Sequence, residues 1–528
     1  MMRRFAVHPL FIAAFFVLTL WSQNLSEVSF GAVWRSLLVV VAGVGVAFGL
    51  AVLAVRRDHR RIAVAVSGVT LLFFSYGYVW DLVNRAIAEH RYLLLLMLVV
   101  AAMFVFAAFK LRRHVAEMTT ILNGVGVVLL VTAMLPVAQS AGEAAPSQVP
   151  VGTPGYGVTA IPDRDIYYII LDRYGSEKSL RALFDYDNHP FMAWLEQRDF
   201  SVAYDSLGNY NKTAHSLGAS LNLDYLDDLA TAANHNSGDW GPVYAKLRDH
   251  QIGRFLTRSG YEYVHVGTWW GPTATATSAD VTYRYGGRSE FSQVLLHTTA
   301  VPGLRAALGL GGDSDTRLLK RNATLYQFDK LEDIARAESD QPRFVFAHLT
   351  IPHEPYVFDA DGSLVTQEME DVRSRARNYT AQVEYANLRM QRIVELLLDG
   401  PEDEHPIIVL QADEGPHPVL YEHLEDDYNW ANAPTAELQE KLRILNAYYL
   451  PELHPDPVYR DITPVNTFRV ILREYFGADL GLLPDRSFVF IDENHLYDFV
   501  EVTDRVDGDE SLPDPHEGRY RRSAVTDP

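Results

Sequence analysis

Hydrophobic and polar positions divide the chain into two parts with different patterns. Up to residue 140, long apolar runs alternate with short polar or basic segments, whereas the later part alternates short apolar runs with amphipathic stretches. Most of the long runs reach the ~20 residues that a helix needs to cross a bilayer. The pattern predicts an α-helical membrane domain of five spans over residues 1–138. The predicted spans are 5–22, 32–55, 62–83, 92–109 and 119–138.

The loops between these spans differ in charge. Arg3, Arg4 and the clusters 56–61 (RRDHRR) and 110–114 (KLRRH) all fall on one side, whereas the opposite loops carry only two arginines. Because basic loops stay on the cytoplasmic side, we expect a cytoplasmic N-terminus. Five crossings then place everything after residue 140 outside. The sequence thus predicts a multi-pass plasma-membrane protein with an extracytoplasmic domain.

Residues 164–504 show the alternation of strands and helices that is typical of an α/β domain. Residues 165–172 (DIYYIILD), 343–353 (RFVFAHLTIPH) and 407–411 (IIVLQ) contain apolar runs typical of strands buried on both faces. Residues 366–400 have helical periodicity, and we expect one long helix that stops at Gly400. The alternation predicts a mainly parallel sheet between helices.

Two segments flank this domain and lack such patterning. Residues 139–163 are rich in Gly, Pro, Ala and Ser, which predicts a linker. Residues 505–528 are charged and contain proline, which predicts a flexible tail.

Composition excludes several kinds of chemistry. The net charge is -21, and nearly all of the acidic residues fall after the membrane part, which argues against a nucleic-acid partner. The chain has no cysteine, so it has no disulfide, no thiolate zinc site and no cysteine nucleophile.

Four residues fall at the carboxyl ends of predicted strands, where parallel sheets bind ligands. They are Asp172, His348, Asp413 and Glu414. Each acid could be an ordinary polar strand end, and His348 could be a core histidine. Together, however, the carboxylates offer the oxygen ligands that hard divalent cations prefer.

Thr213 lies where a helix is predicted to begin, and it is either a helix cap or a nucleophile. A hydroxyl is a weak nucleophile unless a metal or base activates it. His348 and His353 could protonate a leaving group or bind an oxyanion, although a core and a loop histidine are the plain alternatives. Lys212 could offset phosphate charge or simply be solvated. This combination suits phosphoryl or sulfuryl transfer.

Several blocks between residues 164 and 495 resemble the sulfatase-like branch of the alkaline phosphatase superfamily. They include DIYYIILDRYG, SLGNYNKTAHSLGASLNLDYL, FVFAHLTIPHEPYVFDADG and IIVLQADEGP, in this order. Five spans before such a domain also look like the architecture of lipoteichoic acid synthases and phosphoethanolamine transferases. The resemblance implies an alkaline-phosphatase-like fold and a phosphoester substrate, such as a lipid head group or an envelope glycan.

The resemblance also implies roles for individual residues. Asp172 is similar to the first metal ligand of the family, and Thr213 to the nucleophile, which also touches the metal. Asp413 matches the aspartate of the family's Asp-His-Gly signature. His348 and His353 match histidines near the transferred or leaving group. The implied cofactor is a divalent ion, either Mn, Mg, Ca or Zn.

Two departures from the family pattern affect these expectations. The stretch NKTAHS lacks the C/S-x-P-S-R motif, which argues against a formylglycine sulfatase and favours a phosphorylated threonine. Glu414 stands where the family has histidine. Either Glu414 binds the metal through oxygen, with Mg²⁺, Mn²⁺ or Ca²⁺ favoured over zinc, or the ion is lost. His417 is an alternative source of the missing imidazole.

We therefore expect a membrane-anchored, metal-dependent hydrolase or transferase that acts on phosphoesters through a threonine nucleophile. The expected metal ligands are Asp172, Thr213, Asp413 and Glu414. The alternative is a catalytically inactive sulfatase-fold module with a binding or assembly role in the cell envelope.

Overall fold

The computed structural model divides the chain into two compact units. Unit 1 comprises residues 1–151 and 288–315, and unit 2 comprises residues 152–287 and 316–528. The sequence predicted an unbroken domain over 164–504, so the membership of 288–315 in unit 1 was not predicted. The described residues are 5–25, 28, 30–55, 58–83, 89–110, 114–142, 156–232, 237–286, 290–308, 313–424, 428–454 and 456–506.

Some predicted features lie outside the described residues. They include most of the linker 139–163, nearly all of the tail 505–528, and Arg3, Arg4 and parts of the two other basic clusters. The predictions for these segments therefore stay predictions.

The apolar runs of unit 1 form helices, as predicted. Four of them, α2 to α5, are long and apolar enough to cross a membrane, whereas α1 has only 15 residues. The chain is thus a membrane protein with four helices of spanning length and a shorter apolar helix before them. The five helices are α1 (His8–Ser22), α2 (Phe30–Val55), α3 (His59–Val83), α4 (His90–Lys110) and α5 (Val115–Gly142).

A polar contact joins the first and last of these helices. The Oδ1 atom of Asn123 accepts hydrogen bonds from the backbone N–H groups of Val7 and His8, at 3.2 and 3.0 Å. Backbone groups without a partner are costly in an apolar environment. Asn123 of α5 therefore satisfies the start of α1, and α1 packs against α2, α3 and α5.

The described residues of unit 2 contain a seven-stranded sheet with the order β2-β7-β6-β1-β5-β3-β4. All neighbouring pairs from β6 through β1, β5 and β3 to β4 are parallel. The two remaining pairs, β6–β7 and β7–β2, are antiparallel. The prediction of a mainly parallel sheet is confirmed. The strands, including a separate pair β8–β9, are β1 (Ile166–Leu171), β2 (Ser201–Val202), β3 (Glu262–Val266), β4 (Val281–Tyr283), β5 (Arg343–Leu349), β6 (Ile407–Gln411), β7 (Asn446–Tyr449), β8 (Phe488–Phe490) and β9 (Phe499–Glu501).

The central strand β1 is buried at every position because helices cover both faces of the sheet. Tyr167 and Ile169 point to a core shared with the helix Arg375–Leu397. Tyr168 and Ile170 point to a second core, shared with helices on the opposite face. A large apolar side chain buried in this way contributes about 1.5–3 kcal/mol. Continuous apolar runs, rather than alternating ones, are therefore what this sheet requires.

The described residues of unit 2 contain thirteen complete α-helices, and one of them begins at Thr213, where the sequence predicted a helix start. Unit 2 contains Glu177–Phe184, His189–Glu196, Thr213–Ser220, Asp227–Ala232, Gly241–Arg248, Gln251–Arg258, Gly271–Ala274, Gln367–Val372, Arg375–Leu397, Val419–Leu424, Thr435–Leu442, Thr467–Phe476 and Thr503–Val506. The helix Asp313–Arg336 begins in unit 1, and unit 1 also contains Glu290–His297 and Val301–Ala307.

The prediction of one long helix over 366–400 is wrong. The structure has two helices, Gln367–Val372 and Arg375–Leu397. Ser374 adopts an extended conformation between them, and its hydroxyl accepts a hydrogen bond from the backbone N–H of Arg377 at 3.1 Å. Serine is a favoured N-cap, so this local bond starts a new helix within an otherwise helical pattern.

Candidate active site

Three parallel strands bring the predicted site residues to one edge of the sheet. Asp172 directly follows β1, His348 is the last residue but one of β5, and Asp413 comes two residues after β6. Two backbone hydrogen bonds hold this edge together. The N–H of Asp172 donates to the carbonyl of Leu349 at 3.0 Å, and the N–H of Arg173 donates to Oδ1 of Asp413 at 3.1 Å.

Asp172, His348 and Asp413 form a buried trio. One ligand atom from each lies within 4.8 Å of the others. The Nε2 atom of His348 is 3.4 Å from Oδ2 of Asp172. The sequence predicted the two aspartates as metal ligands and His348 as a catalytic group. The structure places His348 beside the two aspartates.

The trio contains buried polar atoms without a hydrogen-bond partner among the described residues. These are Oδ1 of Asp172, Oδ2 of Asp413 and Nε2 of His348. Each such atom costs about 1–3 kcal/mol if it stays unpaired. The other ring nitrogen of His348 is hydrogen bonded to the hydroxyl of Thr273 at 2.9 Å, which orients the ring as in histidine metal ligands. The donor set therefore fits a divalent cation.

The electrostatics of the trio show what a cation would relieve. Burial, followed by the negative charges of Asp172 and Glu414, raises the pKa of Asp413. For Asp172, burial acts in the opposite direction to the nearby histidines His353 and His348, which hold its pKa well below its usual range. Burial lowers the pKa of His348, but the nearby carboxylates of Asp172, Asp413 and Glu414 together raise it above its ordinary value. The buried acids repel one another, and a bound cation would offset this repulsion.

Thr213 is the first residue of the helix Thr213–Ser220, and Lys212 is the N-cap. The N-cap is Lys212, so Thr213 does not cap the helix, and its hydroxyl lies close enough to the carboxylate of Asp413 to lower the pKa of that group. The capping alternative for Thr213 is therefore wrong. Thr213 lies beside the trio at a helix N-terminus, where free N–H groups favour an anionic oxygen.

Lys212 is not a solvated lysine. Its side chain is 16% exposed, and its ammonium group lies 3.2 Å from a carboxylate oxygen of Glu493. The same group contacts the hydroxyl of Tyr421 and lies 4.6 Å from the centre of that ring. These contacts hold a positive charge next to Thr213.

Glu414 belongs to a buried cluster of charges beside the trio. Its Oε1 atom is 2.9 Å from Nζ of Lys441, 3.3 Å from Nε of Arg173 and 3.5 Å from Nε2 of His417. Burial and the nearby cations hold the pKa of His417 well below its usual range. Sequence reasoning missed Lys441, because no motif includes it. Metal binding by Glu414 and Thr213 stays a prediction.

His353 lies on the loop after β5. Its Nδ1 atom contacts the backbone carbonyl of Glu354, and burial together with Arg173 lowers its pKa to about 4. The neighbouring Lys320 donates hydrogen bonds to the backbone carbonyls of His353 and Pro355. Sequence reasoning missed Lys320 because it lies in a helical stretch without a motif.

A cleft of about 510 Å³ opens beside the Glu414 cluster. Glu354 pairs with Arg173 and also lines the cleft, as does His417. Its volume is in the range of ligand sites. The cleft is lined by Glu354, Tyr356, Glu370, Arg373, Arg375, Asn378, His417, Tyr421 and Glu422.

Comparison with protein families agrees with this geometry. Residues 186–442 match the family model described as Sulfatase. The chain therefore carries a sulfatase-family domain, and the resemblance stated from the sequence is confirmed. The match contains Thr213, His348 and Asp413, whereas Asp172 precedes it on the central strand. No curated protein sequence matches the chain.

Several solved structures are similar to the chain at low sequence identity. The C-terminal periplasmic domain of EcEptC from Escherichia coli, in complex with Zn, is 12% identical and has a TM-score of 0.42, with 67% of this chain and 96% of that chain covered. Lipooligosaccharide phosphoethanolamine transferase A from Neisseria meningitidis is 12% identical and has a TM-score of 0.38, with 90% of this chain and 95% of that chain covered. Lipoteichoic acid synthase LtaP from Listeria monocytogenes is 12% identical and has a TM-score of 0.39, with 64% of this chain and 82% of that chain covered. The family assignment itself comes from the family model.

Proposed function

We propose that the protein is a membrane-anchored, metal-dependent transferase or hydrolase that acts on phosphoesters, with Thr213 as the nucleophile. The observation that supports this most strongly is the position of the Thr213 hydroxyl. It lies beside the carboxylate of Asp413, whose pKa it lowers, and Asp413 is a member of the buried trio with unpaired polar atoms. A hydroxyl at a helix N-terminus beside a cation site is suited to attack phosphorus.

Asp172, His348 and Asp413 would hold the metal, with Thr213 and Glu414 as further candidate ligands. When bound, a divalent cation would lower the pKa of the nucleophile and neutralise charge on the phosphoryl oxygens. Two carboxylates with one imidazole suit Zn²⁺ and Mn²⁺. Measurement of the metal content identifies the ion.

The residues of the chain then divide the proton transfers among them. The Oγ atom of Thr213 would form a bond to phosphorus while the ester O–P bond breaks, and the hydroxyl proton would pass by way of Asp413 to the leaving oxygen. The contact of His353 Nδ1 with a carbonyl oxygen requires the proton on that nitrogen, and the lowered pKa of the ring leaves Nε2 without one. In the second step Nε2 would take the proton of water or of an acceptor hydroxyl, whose oxygen bonds to phosphorus while the Oγ–P bond breaks and Thr213 regains its proton. Lys212 offsets the charge of the phosphothreonine.

The cleft beside Glu414 would hold the part of the substrate that leaves or accepts the phosphoryl group. It contains Arg373, Arg375 and several acids together with two tyrosines, so it suits a polar, hydrogen-bonding group rather than an apolar tail. A lipid head group or an envelope glycan has this character.

We propose that all five apolar helices cross the membrane, that the N-terminus is cytoplasmic and that unit 2 is extracytoplasmic. The support is the excess of arginine in the loops on the N-terminal side. Reporter fusions after residues 58, 89 and 114 test this topology, and an external signal at residue 58 would contradict it.

A specific observation favours the inactive module as second candidate. Glu414 stands where the family has histidine, and one of its carboxylate oxygens pairs with both Lys441 and Arg173. That pairing is a stable arrangement without any metal. The two candidates differ in metal content and in covalent chemistry at Thr213.

The deciding experiment uses the full chain in detergent. Metal content is measured first, then turnover of an aryl phosphodiester, and the stalled reaction is examined by mass spectrometry for a modified Thr213. The enzyme proposal expects a bound divalent ion and a phosphorylated or ester-modified threonine. A chain with no bound ion, and no turnover with any added divalent metal, would support the inactive module.

A further inference from the structure

A segment from the middle of the soluble part of the sequence belongs to unit 1. It lies between β4 and β5 in the chain and consists of two helices, Glu290–His297 and Val301–Ala307. Residues 298–300 connect them.

The connection between these helices hydrogen bonds to the backbone of α3. The N–H of Gly77 donates to the carbonyl of Thr298, and the N–H of Ala300 donates to the carbonyl of Phe73, both at 2.9 Å. Phe73 and Gly77 are four residues apart, so they are an i, i+4 pair of the helix. Such backbone pairing between a membrane helix and another segment requires very close approach.

Glycines at two positions permit this approach. A Cβ atom added to Gly77 would lie 2.3 Å from the carbonyl oxygen of His297. A Cβ atom added to Gly303 would lie 2.4 Å from the hydroxyl of Tyr76. Both distances are shorter than any van der Waals contact, so a larger residue at either position displaces the segment.

One face of the segment is buried against unit 1. Phe291 and Leu295 join an apolar cluster at the ends of α1 and α2. The hydroxyl of Ser292 lies 3.0 Å from that of Ser36 in α2, and the helix Val301–Ala307 packs against α4. The other members of the cluster are Val17, Leu20, Trp21 and Val33.

Other apolar side chains of the segment are exposed. Val294, Leu304 and Leu308 are 46%, 51% and 60% exposed. The hydroxyls of Thr298 and Thr299 donate to backbone carbonyls three residues earlier, at 2.8 and 2.6 Å. Exposed apolar side chains together with internally paired polar groups are what a segment in contact with lipid requires.

We propose that residues 290–308 are a second membrane attachment, a segment that lies in the plane of the outer leaflet and is locked to α3. Val294, Leu304 and Leu308 contact acyl chains, because they are exposed apolar side chains on a segment packed against membrane helices, as Leu38 of α2 and Leu98 of α4 are exposed on the helices themselves. Unit 2 is then held to the membrane at two places in the sequence, by the linker 139–163 and by this segment. Only the choice of leaflet rests on the proposed topology.

The first test cuts the linker and asks whether unit 2 is released. A protease site is placed between residues 143 and 155 of the full chain in its membrane, and the cleaved sample is centrifuged. We expect the fragment from the cut to the C-terminus to stay in the membrane pellet. Release of this fragment into the supernatant would overturn the proposal.

Matched variants distinguish the proposed lipid contact from nonspecific association of unit 2 with the membrane. Leu304→Ser with Leu308→Ser moves the cleaved fragment toward the supernatant, whereas Val372→Ser with Leu388→Ser, at exposed positions of unit 2, leaves it in the pellet. Equal release by both pairs, or by neither, contradicts the lipid contact. If the first pair instead halves the particle mass in detergent without release, the face binds a second copy of the chain.

A cross-link tests whether residues 290–308 are packed against the membrane helices. It does not depend on separating the membrane pellet from the supernatant. The chain has no cysteine, so Ser36→Cys with Ser292→Cys introduces a single pair. After the linker is cut, we expect the two fragments to remain joined under oxidising conditions and to separate after reduction.

Gly303→Val in this background abolishes the cross-link, and Gly43→Val, where an added Cβ meets no atom within 4 Å, does not. Absence of the cross-link in the parent protein would overturn the docking. Neither test measures activity, so failure of the proposed reaction leaves both results unchanged.

Discussion

The Nε2 atom of His348 lies 3.4 Å from Oδ2 of Asp172, although 176 residues separate them in the chain. The parallel pairing of β1 with β5 places the two residues side by side at one sheet edge. Thr273 holds the far side of the imidazole ring at 2.9 Å. The ring is thus oriented toward the carboxylates before any ion binds, which lowers the free-energy cost of forming a metal site.

Thr213→Ala removes the proposed nucleophile. We expect kcat to fall by on the order of 10³-fold or more, with the metal content unchanged because the trio is intact. Thr213→Ser retains a hydroxyl and serves as the control, with partial activity. Full activity of the alanine variant would show that another group attacks phosphorus.

Thr273→Val removes the hydroxyl that orients His348. Loss of such a supporting contact typically lowers metal affinity by about 10–100-fold. Titration of the metal-free chain with Zn²⁺ and Mn²⁺ measures the change. Thr277→Val, at an exposed position nearby, is the control, and equal affinities of the two variants would contradict a role for Thr273.

Glu414→Gln removes the counter-charge of two buried cations. Loss of one partner from a buried ion pair costs about 3–5 kcal/mol; Lys441 would lose its carboxylate partner, whereas Arg173 keeps Glu354. We expect the free energy of unfolding in urea to fall by that amount. Adding Lys441→Met should recover part of the loss, and a purely additive double variant would show that the two side chains do not interact.

Glu414→His tests the metal role of this position. Increased zinc-dependent turnover would show that the residue tunes a metal site. Unchanged metal content and turnover would show that Glu414 is not a metal ligand. Its role would then be to pair with the buried cations around it.

Lys320→Met removes a buried ammonium group whose pKa burial lowers to about 7. In the unfolded chain the group titrates near 10.5, so between pH 7 and 10.5 the unfolded state binds more protons. The stability of the parent protein should therefore rise with pH in this window, with up to about 1.4 kcal/mol per pH unit from this group. Urea unfolding between pH 7 and 9.5 should show a smaller slope for the variant. Lys178→Met, at an exposed position, should keep the parent slope.

Local patterns identified much of the fold and part of the site. Apolar runs predicted the membrane helices and the buried strands, since burial on both faces demands such runs. The position of Asp172 and Asp413 at strand ends then predicted their meeting, because parallel strands share an edge. The break at Ser374 was missed, because one side-chain hydrogen bond outweighed a continuous helical pattern.

The sequence by itself determined the membrane and sheet elements, the edge at which Asp172, His348 and Asp413 lie, and the absence of cysteine chemistry. Only the tertiary structure decided that His348 joins the two aspartates, that Lys441 pairs with Glu414, and that residues 290–308 pack on α3. The physical reason is the range of the interactions. Periodicity and turn chemistry act between near neighbours in the chain, whereas ion pairs and close backbone contacts join residues that only the folded chain brings together.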